Sequence, residues 1–324
     1  MPPAPASRTS AEELRERVPS IDPREPKLDD TLVDEASLES FPASDVPSWT
    51  PTHVGAPCPV PPRTETPREI RERLRIDVHA LRTADEVAEA FLRAGRSVTR
   101  IPIAEGVKDE DIEALIAGTT ASADGVLVGA HYNTQERSGI AVLIALARLL
   151  EGRRFARPVR LVAFASSGEP YAKRLQEKSI RLRGMLCLAN VAYRTDRPRD
   201  RERPFAHRVL APGTGDFVLL AGDRRARGFI TEARDAFSNA SDLAVRTLCV
   251  PSLHLLASPP SHRVFTRSKL PAILVTDAVP LRSLRGPRPE DPSRTNLDYD
   301  RMADLVFGLA AVIVRLAGEE GERP

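Results

Sequence analysis

The chain has 324 residues, 41% of them hydrophobic, and its 47 Lys and Arg nearly balance 45 Asp and Glu to leave a net charge of +2. This is enough apolar material for one large globular domain with a tail, or for two modest domains. The near-neutral balance excludes the basic footprint of a nucleic-acid-binding protein. No run reaches the ~18 apolar residues a membrane span needs, and Met1 to Glu13 has no apolar core of signal-peptide type. The sequence therefore predicts a soluble, cytoplasmic protein with neither nucleic acid nor membrane as a partner.

Residues 1–65 form a separate region, rich in Pro, Ser, Asp and Glu and poor in periodic apolar residues. Such a segment cannot bury enough apolar surface to offset its ordering entropy, so a disordered acidic, Pro-rich arm is expected. One short helix is expected near Ala11 to Val18, with Ser10 and Glu13 as a capping box. Residues 66–324 carry the folded domain. Pro67 to Leu74 begins a helix, Ala84 to Ala94 continues the helical spacing, and Gly95 ends it. Val98 to Ile103 reads as an edge strand and Ile112 to Ile116 as a second strand. Gly125 to His131 is nearly all apolar, as a central strand buried on both faces must be. A helix capped by Ser138 runs to Glu151, followed by a strand at Val159 to Ala165 and a helix at Ala172 to Ile180. Strands are expected at Met185 to Tyr193, Phe217 to Ala221 and Leu270 to Thr276, with a helix at Arg224 to Phe237 and a last helix within Leu297 to Leu316. Strands alternating with helices predict an α/β fold: a three-layer α/β/α sandwich around a mixed, mainly parallel sheet. Ligands in such sheets bind beyond the strand carboxyl ends, where His131, Ser166 and Tyr193 fall. Cys58, Cys187 and Cys249 form no Cys-x-x-Cys pair. Cys187 and Cys249 lie in apolar strand-like runs and are expected as buried free thiols.

Six segments occur in an order and spacing that resemble a known family: VLVGAHYN (Val126 to Asn133), SGIAVLIALARLL (Ser138 to Leu150), VRLVAFASSGEPY (Val159 to Tyr171), RGMLCLANVAY (Arg183 to Tyr193), PAILVTDA (Pro271 to Ala278) and NLDYDRMADLV (Asn296 to Val306). Together they resemble the di-zinc exopeptidases, the aminopeptidase family that includes glutaminyl cyclases. The resemblance runs from about Pro67 to Ala317. It implies two zinc ions held by His and carboxylate ligands, one of them bridging, with a Glu as general base for the attacking water.

Carried over residue by residue, the resemblance implies a degenerate member. His131 matches the first His ligand. The bridging Asp is missing from Tyr132 to Ser138, where only Glu136 is acidic. Ser167 and Gly168 fall where the resemblance implies a Glu-Glu pair, and a one-residue slip would bring Glu169 to the second place. The next acidic position falls on Ala189, and an expected Asp-His pair reads Ser261-His262. No His follows His262; Arg285 and Arg288 lie in that stretch instead. These vestigial positions, His131, Ser167, Gly168, Ala189 and His262, imply no bound cofactor where the family uses zinc, and His131 alone as a metal ligand if there is one. Carboxylates clustered without metal repel one another, so their removal after metal loss relieves the fold.

The expected function is therefore a catalytically inactive aminopeptidase-like protein with a binding or scaffolding role. Two enzymatic readings stand beside it. One is an altered single-metal site using His131, Glu169 and His262. The other is a metal-free hydrolase using Ser167, although Ser166 and Ser167 lack the strained Gly-x-Ser-x-Gly turn that presents a nucleophile. Glu169 and Ser167 are thus the catalytic candidates. Asp277 reads as a buried structural acceptor. Arg285, Arg288 and Arg294 read as a solvated loop or as an anion site.

The arm carries a second signal. Leu28 to Trp49 contains six acids and no base, and includes Phe41, Asp45 and the sole Trp, Trp49, with Pro42 and Pro47 stiffening the spacing. Acidic, Pro-punctuated segments with a few aromatics suit docking peptides. An unknown protein partner, or the chain's own domain, would be met through residues 28–49; an inert linker is the other reading. The run Glu39 to Trp49 also resembles a short tag at the ends of otherwise unrelated bacterial proteins.

Overall fold

The computed structural model describes residues 65–104, 106–120, 123–134, 137–192, 217–250, 259–277 and 297–319. Phe41, Asp45 and Trp49 of the arm, the helix expected near Ala11, and also Cys58, Glu136, Tyr193, Arg285, Arg288 and Arg294 lie outside the described residues.

Two helices open the domain, α1 (Pro67–Ala80) and α2 (Ala84–Arg93). Each starts with a full capping box, Thr66 with Glu69 and Thr83 with Glu86, in which the Thr side chain accepts from the Glu backbone and the Glu carboxylate accepts in return. Gly95, at φ +69°, ends the second helix. The strands are β1 (Val98–Pro102), β2 (Glu110–Ile116), β3 (Gly125–His131), β4 (Val159–Phe164), β5 (Leu182–Leu188), β6 (Val218–Asp223), β7 (Val245–Val250) and β8 (Ala272–Thr276). Between them stand α3 (Ser138–Leu149), α4 (Glu169–Glu177), α5 (Arg227–Ser238), which follows a 3-10 turn, and α6 (Pro260–Arg267), with α7 (Tyr299–Ala317) last.

These strands form one eight-stranded sheet in the order β1-β2-β4-β3-β5-β8-β6-β7. Strands β4, β3, β5 and β8 are parallel, β2 runs against both β1 and β4, and the parallel pair β6 and β7 runs against β8. The α/β sandwich read from the sequence is thus present, with its parallel part in the centre. Six of the seven β3 residues are buried, which matches its unbroken apolar run. Period-two alternation divides the core. Val126, Val128 and Ala130 face the larger cluster with α1, α2, α3, α5 and α7. Leu127, Phe164 and Cys187 face a smaller cluster completed by Tyr171 and Leu175 of α4 and Phe265 of α6.

Several elements differ from expectation. Ser138 is the first residue of α3 rather than its cap; its hydroxyl accepts from Val191 N at 3.0 Å and so ties α3 to the end of β5. Strand β5 stops at Leu188, and β2 begins two residues early, taking in Asp111. Strand β7, expected only as a strand-like run around Cys249, and helix α6 stand beyond the expected elements: β7 alternates weakly, and α6 is short and starts at Pro260, with Pro259 as its cap. Cys187 is a buried free thiol, whereas Cys249 is half-buried because β7 is an edge strand. No described helix is long and apolar enough to cross a membrane.

Candidate functional site

The parallel strands β3, β4, β5 and β8 end on one edge of the sheet, and the reversed strand β2 begins there. His131 closes β3 on the face covered by α4 and α6. Its Nε2 lies 2.9 Å from Ser261 Oγ, in the first turn of α6. Its ring lies 5.7 Å from that of Phe164, the last residue of β4. Burial pushes the imidazole down to about 4, so it is neutral near pH 7. Ser261 is fully buried and also lies 3.7 Å from Cys187 Sγ.

The other predicted positions surround this pair without joining it. Gly168 precedes α4 at φ +79°, a conformation that favours glycine. A Cβ there would stand 3.1 Å from Ser261 Cβ and 3.3 Å from Phe164 Cε1. Ser167 Oγ accepts from Glu169 N at 3.3 Å, a local turn bond with no base attached. Glu169 is exposed and lies in the outer groove between α4 and α6. Ala189 continues the β5 line, its N–H donating to Val275 O, and Asn190 follows in the left-handed region at φ +50°. Asp277 is buried, and its N–H donates to Asn190 O at 2.8 Å. His262 is buried with its Nε2 donating to Ala272 O at 3.3 Å, which fixes the tautomer and leaves Nδ1 without a partner. Burial pushes its pKa down to about 4. The His131, Glu169, His262 trio is therefore not assembled: His131 meets Ser261, Glu169 is outside, and His262 is turned to the start of β8.

Two features of this edge escaped the sequence reading. Asp111 is fully buried; its Oδ1 accepts from Ala165 N at 2.8 Å, while Oδ2 has no partner. Burial raises its carboxyl to about 6, partly offset by the backbone N–H groups of Ala165 and Ser166. The Ser166 hydroxyl beside it is also buried and unpartnered. Tyr132 and Asn133 clamp the same corner: Tyr132 Oη donates to Glu110 O at 2.9 Å, and the Asn133 side-chain amide donates to Ala165 O. The alternation of Asp111 and Glu113 with Ile112 and Ala114 carried the signal, but it reads equally as a solvated strand face. Ser261 is reached in the sequence only through the resemblance, which sets Ser261-His262 at the site; its contact with His131, 130 residues away, has no local signal.

No family model matches the chain. The uncharacterized protein YfbL of Escherichia coli K12 is 26% identical over 263 residues, covering 72% of this chain and 79% of YfbL. Among solved structures, the LapA aminopeptidase of Legionella pneumophila superposes with a TM-score of 0.57 at 15% identity, over 78% of this chain and 72% of LapA. LapB from the same organism gives 0.56 at 14% identity, over 79% of this chain and 73% of LapB. The fold is that of the aminopeptidases. Identity this low carries the fold and leaves the chemistry to the side chains.

On this aminopeptidase fold the described residues do not fit the zinc that the resemblance implies. Zinc takes His, Cys and carboxylate ligands converging at ~2.0–2.3 Å. Here the nearest group to His131 Nε2 is a serine hydroxyl, flanked by a phenylalanine ring and a glycine, and no group of three His, Cys, Asp or Glu side chains suited to a metal occurs among the described residues. The Ser261–His131 pair does have the contact of a nucleophile with its base. Ser261, however, has no exposed surface and stands in a helical turn, not on a strained elbow.

Proposed function

We propose that the chain is a catalytically inactive aminopeptidase-like protein, a pseudo-peptidase with a binding role, carrying residues 28–49 as a docking arm. The observation that carries this reading is the 2.9 Å contact between His131 Nε2 and Ser261 Oγ. The side chain that matches a zinc ligand has its nitrogen engaged by a buried hydroxyl. The Phe164 ring and Gly168 stand around this contact, and neither carries an oxygen or nitrogen in its side chain. A two-metal cage would require a bridging carboxylate and further acidic ligands around a histidine whose Nε2 is already engaged by Ser261.

The test is elemental analysis of full-length protein after zinc exposure and dialysis, with aminoacyl p-nitroanilide hydrolysis assayed in parallel. This reading expects zinc far below one equivalent and no turnover above buffer. Near-stoichiometric zinc that is lost in His131→Ala, together with turnover lost in the same variant, would establish the altered-metal enzyme instead. Metal-free turnover that is abolished by Ser261→Ala, or by Ser167→Ala, would establish a serine hydrolase.

A further inference from the structure

The two-helix face of the sheet carries a groove of about 240 Å³ between α4 and α6. It is lined by Glu169, Lys173, Gln176, Arg267 and Ser268 together with the apolar Ala172 and Val264. This is smaller than a drug-sized ligand needs and suits one large side chain. The two helices carry Lys173, Arg174, Arg263 and Arg267 against only Glu169 and Glu177. Both begin at the edge that holds His131: α4 directly follows β4, and Ser261 of α6 touches His131.

The chain enters the domain at that same edge. In α1, Arg71 Nη1 lies 2.7 Å from Asp300 Oδ1, and the Arg75 guanidinium lies 5.3 Å over the Tyr299 ring. Asp300 and Tyr299 begin α7, whose preceding Asp298 N–H donates to Ala192 O, just beyond β5. What precedes α1 therefore starts beside the strand carboxyl ends. From there the groove lies across the sheet, two layer spacings of roughly 10 Å away. The 15 residues between Trp49 and Glu65 reach about 50 Å when extended, so the span is covered with slack.

We propose that residues 28–49 dock on their own domain, with Trp49 seated in the α4–α6 groove and the acidic run lying along Lys173 and Arg267. The occupant matches the surface in three respects. Its six acids face a cationic pair of helices; its sole Trp supplies an aromatic of suitable bulk for a single-side-chain groove; and its tether begins at the sheet edge from which both helices start. This inference stands apart from the reading of the His131 site and holds whether or not that site takes metal.

Trp49 is the only tryptophan, so its fluorescence in the full-length chain reports the docking directly. Wild-type protein should show a blue-shifted emission maximum and a several-fold lower acrylamide quenching constant than free tryptophan amide. The double variant Lys173→Glu, Arg267→Glu should move both readings to solvent-exposed values while leaving far-ultraviolet circular dichroism unchanged, since both side chains are exposed. Raising salt to 1 M, where the screening length falls to about 3 Å, should move them the same way. A solvent-exposed Trp49 in the wild type overturns the proposal and leaves the arm free for a separate protein. A blue-shifted Trp49 that ignores the double variant places the indole elsewhere. A shift that grows with protein concentration assigns the docking to a second copy. Each of these outcomes rejects intramolecular seating in this groove.

Discussion

Glu113 and Tyr171 meet inside the two-helix face, where Tyr171 Oη donates to Glu113 Oε1 at 3.0 Å and Arg160 closes the group as the counter-charge. Glu113 is 5% exposed and Tyr171 fully buried, so this acid is held in the interior by one cation and one hydroxyl. The group staples β2 and β4 to α4, the helix that starts beside His131.

Removing one member of this group should be more damaging than softening it. Glu113→Ala leaves the Arg160 guanidinium without its partner at a mostly buried site, at a cost of about 3–5 kcal/mol. Tyr171→Phe removes one hydroxyl donor to the carboxylate but leaves the ion pair in place, and should cost about 1.5–3 kcal/mol. Urea titrations of the two variants read this directly. Equal losses would mean that the ion pair contributes no more than the hydroxyl.

The Ser261–His131 contact makes a second prediction. Ser261→Ala leaves the partly buried imidazole without its hydroxyl partner and should lower stability by about 1–3 kcal/mol. The same experiment on Ser167→Ala should change stability by less than ~0.5 kcal/mol, since Ser167 makes only a local turn bond. A Ser261→Ala protein as stable as wild type would show that the contact holds nothing in place.

Stability should fall as the solution is acidified below the range of free histidine. His131 and His262 are both pushed by burial from the ordinary 6.5 down to about 4, so between those values the unfolded chain binds more protons than the folded one. Each histidine therefore withdraws on the order of 3 kcal/mol as pH falls from 7 to 4. Asp111 acts in the opposite sense. Its carboxyl is raised from 3.8 to about 6, so its contribution is fullest below pH 3.8 and is lost as pH rises through 6. Two histidines outweigh one aspartate, and the denaturant midpoint should drop between pH 6.5 and 4. In His262→Gln the one remaining histidine is nearly offset by Asp111, so most of the drop should disappear. A flat profile in the wild type would mean that neither imidazole is held neutral by the fold.

Much of the architecture is readable from residues alone, because single-segment patterns carry it. The apolar run from Val126 to Ala130 permits a central parallel strand and little else. The Thr66–Glu69 and Thr83–Glu86 spacings mark where α1 and α2 begin. Helix α6 is hidden by its length and by the prolines at its start, and β7 by the half-exposed pattern of an edge strand. The candidate site is legible only as a set of substitutions along strand ends. That Ser261 meets His131, that Asp111 is enclosed, and that Glu169 faces outward all depend on how distant segments pack. No local period encodes such contacts.

Gly168 sets the terms for any attempt to build an acid into this edge. Its left-handed backbone strains every other residue type, and a Cβ there would stand 3.1 Å from Ser261 Cβ and 3.3 Å from Phe164 Cε1, so its neighbours would have to give by a few tenths of an ångström. An engineered Gly168→Glu would meet the cost of that turn before any gain in chemistry, and relieving changes at Ser261 or Phe164 would have to accompany it.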